Sequence, residues 1–459
     1  MISVPNHQRL SSGNSLKTLC GLLIVLFLVS CGGTDRAVSK TRSNTKRVTV
    51  TKNPNRSKTS KIDTVQWTEA TDTKYPPIVD NSGEATALIK EEQYDVTYLL
   101  PLKALDYASS GSTKNMKFIN YFSGLEMAKE ILEREGVKLN INIVDSEKRN
   151  IESVLSNSVN NETDVMVGLF DTGDLQKAAT LAKDNGIPLI SPWKASSKVT
   201  KSNPYYIQLR PNLDEYYKTI VRDIVENYKA EQVYILGRNN SKDKKIVNYV
   251  QRIGKAYFRS DTLPFNNFVV EEDSLIYGEV AFDSIFNPEL ENVVIIPNFS
   301  NSDEPFVYNC TRRLSVEKGM AKMTVYGMEL LIDSDKIGFD QYNALNMKCA
   351  RTKFVDEADS DVQRFKTAYF NVYGSLPTDD AYEGYDNLMF IGRNISKYGK
   401  NFQHFLDRDN GYYLQAAYDV QKTFSKGSKD DDFKDINYFE NKHVDIISFD
   451  GRRFRREPK

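Results

Sequence analysis

From Tyr94 onward the chain repeats one pattern, a short apolar run followed by a longer segment whose apolar residues recur every three or four positions. That alternation restricts the folded part to an α/β architecture. The first run, Val96-Thr97-Tyr98-Leu99-Leu100-Pro101, predicts a strand. After a polar loop through Ser112, Phe118, Phe122, Leu125, Ala128 and Leu132 share one helical face, and Gly136 ends the helix. Val137, Leu139, Ile141 and Ile143 then alternate with Lys138, Asn140 and Asn142, which leaves one face wet, whereas Val165-Met166-Val167-Gly168 is continuously apolar. A half-wet strand beside buried ones predicts a parallel sheet of order 2-1-3-4-5 with the second strand at its edge.

The alternation continues through helix 175–183, strand 187–190, helix 215–228, strand 233–236 and helix 246–257, then strands at 268–270, 293–296 and 323–326. This is too many units for one sheet and predicts two Rossmann-like doubly wound lobes joined by hinge strands, with a break near Pro211 to Asp214. Residues 92–212 plus 350–425 are expected to build the first lobe, and 213–349 plus 426–459 the second. No internal sequence repeat is visible.

Three stretches carry a resemblance: Asp164-Val165-Met166-Val167-Gly168, Asp184-Asn185-Gly186-Ile187-Pro188-Leu189-Ile190-Ser191-Pro192, and Asn203-Pro204-Tyr205-Tyr206-Ile207-Gln208-Leu209-Arg210-Pro211. Together with Phe365, Tyr369, Tyr373-Gly374, Pro377, Ala381, Gly384-Tyr385-Asp386 and Tyr398-Gly399, their order and spacing resemble the type I periplasmic binding proteins of the leucine/isoleucine/valine-binding family. The resemblance implies two lobes closing on a small ligand between them.

In such sheets ligands sit outside the carboxyl ends of the strands, so the loops 102–112, 169–173 and 191–197 should line the cleft. Thr172 matches the family position that receives an amino-acid carboxylate; the same hydroxyl would serve equally as the N-cap of its own helix. Gly327-Met328-Glu329 is similar to the family's Gly-Pro-Glu, which makes Glu329 the candidate partner for a ligand ammonium. Phe299 falls near an aromatic residue of the family's cleft. Where the family has small residues and a hydroxyl after Ser191-Pro192, this chain has Trp193-Lys194-Ala195, and Trp193, Ala195 and Ser196 are candidate ligand-binding residues. An indole there carries the bulk of a whole small ligand and would fill the pocket with protein. Asp171 and Asp174 would repel an incoming anion.

The amino terminus is of another kind. Arg9 and Lys17 precede Leu22-Leu23-Ile24-Val25-Leu26-Phe27-Leu28-Val29, too short to span a bilayer and suited to a signal-peptide core. The run closes Ser30-Cys31-Gly32, which resembles the lipobox of bacterial lipoproteins. Residues 1–30 are thus expected to be a signal peptide and Cys31 the acylated first residue of the mature chain. Residues 31–91, poor in aliphatics and with nine Lys or Arg and no acid between Arg36 and Lys61, read as a basic flexible linker. It would hold the body about 45 Å from the lipid. Gly32 is not the aspartate that retains many lipoproteins at the inner membrane, so the expected location is the periplasm, on the inner leaflet of the outer membrane.

Since the net charge is −1 and the linker is basic, the remaining body is acidic, which argues against nucleic acid as a partner. Three His and four Cys exclude a histidine-rich metal centre, and no phosphate-binding glycine motif occurs, so neither metal, cofactor nor enzymatic activity is expected. Cys310 and Cys349 would be able to form a disulfide in an oxidising compartment. The reading is a lipid-anchored solute-binding protein, of the kind that serves ABC transporters, with a small polar, amino-acid-like ligand. The alternative is an interaction module with a filled cleft that binds an envelope protein, as an outer-membrane lipoprotein regulator of peptidoglycan synthesis does.

Overall fold

The computed structural model describes residues 78–79, 85–86, 90–103, 115–147, 151–158, 163–196, 198–278, 280–424 and 436–457. The signal peptide, Cys31 and nearly all of the linker lie outside the described residues, as do most of the 102–112 loop and Ser197. Two seven-stranded sheets dominate. The first runs, from edge to edge, Leu139–Asp145, Tyr94–Leu100, Val165–Gly168, Leu189–Ser191, Tyr206–Gln208, Ile436–Asn441 and Val420–Phe424, and only the last of these pairs antiparallel. The half-wet strand is at the edge, and the order over the first five strands is 2-1-3-4-5, as its alternation predicts.

The second sheet runs Asn266–Val270, Val233–Arg238, Asn292–Ile296, Met323–Gly327 and Lys348–Arg351 in parallel, then Asp445–Phe449 and Phe454–Arg456 antiparallel. Each sheet is covered on both faces. Tyr94, Val96, Tyr98 and Leu100 enter one core of the first lobe while Leu99 enters the other. Val293 and Ile295 likewise face one core of the second lobe, and Val294 and Ile296 the other. Among the described residues no helix is long and apolar enough to cross a membrane.

The chain passes between the sheets after Gln208, after Arg351 and after Asn441. Grouping 426–459 wholly with the second lobe is therefore corrected. Ile436–Asn441 pairs in parallel with Tyr206–Gln208 in the first sheet, where five of its six residues are buried, and the second sheet takes the strand that begins at Asp445. Lys348–Arg351 likewise belongs to the second sheet, so the return to the first lobe begins just after residue 351 rather than at 350.

Against the first sheet, helix Met116–Arg134 packs on helix Asp379–Tyr398 at a crossing set by two glycines. A Cβ on Gly124 would stand 1.9 Å from the Ala381 carbonyl oxygen, and one on Gly384 would stand 2.0 Å from that of Tyr121. No side chain fits at either position. This contact places Lys117, Phe118 and Tyr121, near the start of the first helix, beside Asp380 at the start of the second.

A candidate ligand-binding cleft between two unlike walls

Strand Val165–Gly168 ends in a turn with Gly168 at φ 127° and Leu169 at φ 63°, a left-handed conformation that turns the chain out of the sheet ahead of Phe170. Its carboxyl end, the loop after Ser191 and the amino end of helix Met116–Arg134 form one wall of a cavity of about 530 Å³. The wall is aromatic. The Trp193 ring lies 5.3 Å from that of Phe118 and 5.2 Å from that of Tyr121, both edge to face, and 6.3 Å from that of Phe170. Phe170 is 42% exposed, and the ammonium groups of Lys117 and Lys194 lie over it at 3.9 and 4.6 Å from its centroid. Asp380 completes this side, its carboxyl raised above the usual range by burial and by Glu383.

The opposite wall follows the strand ends of the second lobe and the first crossing between sheets. Tyr216, on helix Leu213–Asn227, donates its hydroxyl to Glu329 Oε1 at 3.2 Å and lies 3.2 Å from Thr352 Oγ1. Burial and the Glu329 charge push the Tyr216 hydroxyl well above its ordinary pKa, so it remains a donor. Buried Met328 and exposed Phe299 supply apolar surface, and Arg210, Pro211 and Leu213 close the side along the crossing.

No family model and no curated protein matches the sequence. Solved structures do. A structure described as a branched-chain amino acid ABC transporter protein of Rhodospirillum rubrum is 13% identical, covers 80% of this chain and 100% of its own, and gives a TM-score of 0.56. A branched-chain amino acid ABC transporter periplasmic ligand-binding protein from Burkholderia xenovorans is 12% identical over 80% of this chain and 95% of its own, with a TM-score of 0.51. Full-length LpoA from Haemophilus influenzae, 10% identical, matches 80% of this chain over 60% of its own length, with a TM-score of 0.52. The fold is that of the type I periplasmic binding proteins.

Within this fold the residues singled out by sequence divide. Trp193, Ala195, Phe299 and Glu329 line the cleft, and Thr172 and Ser196 are not among its lining residues. Thr172 is not the cap of its helix either. The helix spans Thr172–Asn185, and Asp171 caps it, with Oδ1 accepting from the Gly173 and Asp174 amides at 2.8 and 3.2 Å. A carboxylate outcompetes a neighbouring hydroxyl for amides at the positive end of a helix dipole. Ser196 turns inward to its own loop, its amide donating to Gln208 Oε1 and its hydroxyl accepting from the Lys198 amide.

The disulfide expectation is corrected: Cys310 and Cys349 are both free and buried. Cys310 sits on helix Glu304–Glu317, packed among apolar residues of the second core, while Cys349 is on a central strand with its thiol directed at the Ala350 carbonyl. Burial raises both thiols well above their ordinary pKa and keeps them protonated. His404 and His443 are buried away from the cleft lining, and burial lowers His404 to about 3, so it stays neutral.

Lys117, Phe118, Tyr121, Phe170, Lys194, Arg210, Tyr216 and Asp380 also line the cleft without having been singled out as site residues. Phe118 belonged to the predicted helix face, and Phe170 and Lys194 lie in loops the strand ends had marked. Nothing local marks Asp380 or Tyr216, which reach the cleft through packing between distant segments.

Proposed function

We propose that this chain is a solute-binding protein whose lobes close on a small polar, amino-acid-like ligand, and that acylated Cys31 anchors it in the periplasm on the inner leaflet of the outer membrane. The observation that carries this reading is the open cavity of about 530 Å³, within the ordinary range for ligand sites, flanked by a carboxylate that a tyrosine hydroxyl holds in place. Glu329 is the proposed partner for a ligand ammonium. The envelope-module alternative required protein to fill the cleft. The Trp193 indole instead stands on one wall with the cavity open beside it, which favours the solute-binding reading.

The test is thermal unfolding of the intact protein against the common amino acids and short peptides. A ligand at one hundred times its dissociation constant stabilises the folded state by about 2.7 kcal/mol. At least one member of the panel should raise the melting temperature, and Glu329→Gln should remove that rise without lowering the melting temperature of the free protein. A flat response from every member, with an envelope protein co-purifying, would establish the alternative.

A further inference from the structure

The cleft holds more positive charge than an α-amino acid needs. Lys117, Lys194 and Arg210 line it against Glu329 and Asp380, and none of the three cations has an ion-pair partner among the described residues. The placement of the two lysines is the informative part. Their ammonium groups lie over one ring, Phe170, and are therefore no farther apart than the sum of 3.9 and 4.6 Å. Two like charges that close repel; Asp380 offsets part of the Lys117 charge, and the exposed phenyl face compensates both only weakly. A carboxylate has two oxygens and would accept from both ammonium groups while standing beside the ring edge.

The rest of the wall continues this geometry. Trp193, backed by the buried rings of Phe118 and Tyr121, offers with Phe170 a surface that suits a flat apolar body, and Phe299, 42% exposed on the opposite wall, would cover its other side. The amino end of helix Thr172–Asn185 is a poor receptor for an anion here, because Asp171 already occupies its amides and Asp174 adds a second carboxylate. We infer that the cleft takes an organic carboxylate with an aromatic or similarly flat apolar body, and that its anionic end docks on the Lys117 and Lys194 ammonium groups beside Phe170. This rests on the solute-binding reading and names its ligand class. Glu329 and Tyr216 then serve any donor at the far end of the ligand, an ammonium included.

Calorimetry and thermal shift on the intact protein with 3-phenylpropionate, 3-phenylpropionamide and phenylalanine test this. The carboxylate should bind on the order of tenfold to a hundredfold more tightly than the isosteric amide, the difference expected for hydrogen bonds to a charged group. Its affinity should fall with added salt. The double variant Lys117→Gln, Lys194→Gln should erase the difference between carboxylate and amide, and the comparison on the unaltered protein stands even if that variant folds poorly. Equal binding of carboxylate and amide overturns the inference. So does phenylalanine binding that the double variant leaves unchanged and Glu329→Gln abolishes, although that result preserves the solute-binding reading. Silence from these three compounds while another amino acid binds also overturns the inference alone. Silence from all of them and from the amino-acid panel overturns both.

Discussion

On the first-lobe side of the cleft, Phe118, Tyr121, Phe170 and Trp193 interlock and the polar groups presented beside them include two ammoniums. On the second-lobe side, the Tyr216 hydroxyl stands between Glu329 and Thr352 and bonds to both, and Phe299 is exposed with no ring against it among the described residues. Both walls are made from strand ends of the same kind of sheet, yet one is held by packing and the other by hydrogen bonds. Side chains that support one another hold a fixed shape, whereas a carboxylate on a short hydrogen-bonded line can respond to the charge of what arrives. The first wall is therefore suited to select outline, and the second to select donors.

The strongest way to break the comparison is to remove the foundation of one wall alone. Gly124→Ala puts a methyl group against the Ala381 backbone, where no flexible side chain can give way. It should cost about 3 kcal/mol or more, and the helix carrying Lys117, Phe118 and Tyr121 should separate from its neighbour. Urea unfolding followed by tryptophan fluorescence would read this; a variant with unaltered stability would show that the two helices do not meet as closely as described.

A second effect lies at the joint between the lobes. Asp386 is fully buried on helix Asp379–Tyr398 and accepts the amides of Leu414, Gln415 and Ala416 at 2.9, 2.9 and 3.0 Å. Burial raises its carboxyl to about 7 against the downward pull of those amides. The folded chain then keeps a proton that the unfolded chain releases above about pH 4. The stability this contributes is complete below pH 4 and is lost as pH rises through about 7, a change of about 4 kcal/mol at most. His404, lowered to about 3 by burial, works in the other direction: its contribution is intact above about 6.5 and is lost as pH falls. The two slopes oppose each other in the unaltered protein. In Asp386→Asn the carboxyl slope vanishes, and stability measured by denaturant titration should rise with pH between 4 and 6.5. An unchanged pH profile would remove Asp386 from this role.

The smallest effect sharpens the contrast between the walls directly. Trp193→Ala removes three ring contacts and should cost about 2 kcal/mol, whereas Phe299→Ala on the opposite wall should cost about 0.5 kcal/mol. Equal costs in thermal unfolding would mean that the two walls are held in the same way.

The lobes were legible because burial writes itself into the sequence. A parallel strand covered on both faces must be continuously apolar, as Val165–Gly168 is, and an edge strand alternates, as Leu139–Asp145 does. The site was legible where a strand end points at it, which is why Trp193 and Glu329 could be singled out. It was not legible where position depends on helix packing. Asp380 and Lys117 are far apart in sequence and come together through the contact of Gly124 with Ala381. Thr172 was misjudged as a cap by one residue, because either Asp171 or Thr172 satisfies the local pattern and the carboxylate takes the amides. Of the final strands, Ile436–Asn441 was assigned to the wrong sheet, because the 442–444 connection that separates it from Asp445–Phe449 is short and carries no signal of a crossing.

That short crossing has a practical consequence. Because Ile436–Asn441 completes one sheet and Asp445–Phe449 extends the other, each half of the molecule borrows from the last stretch of the polypeptide. No single uninterrupted fragment contains either half whole, and excising one for separate study would require joining segments that lie far apart in the sequence.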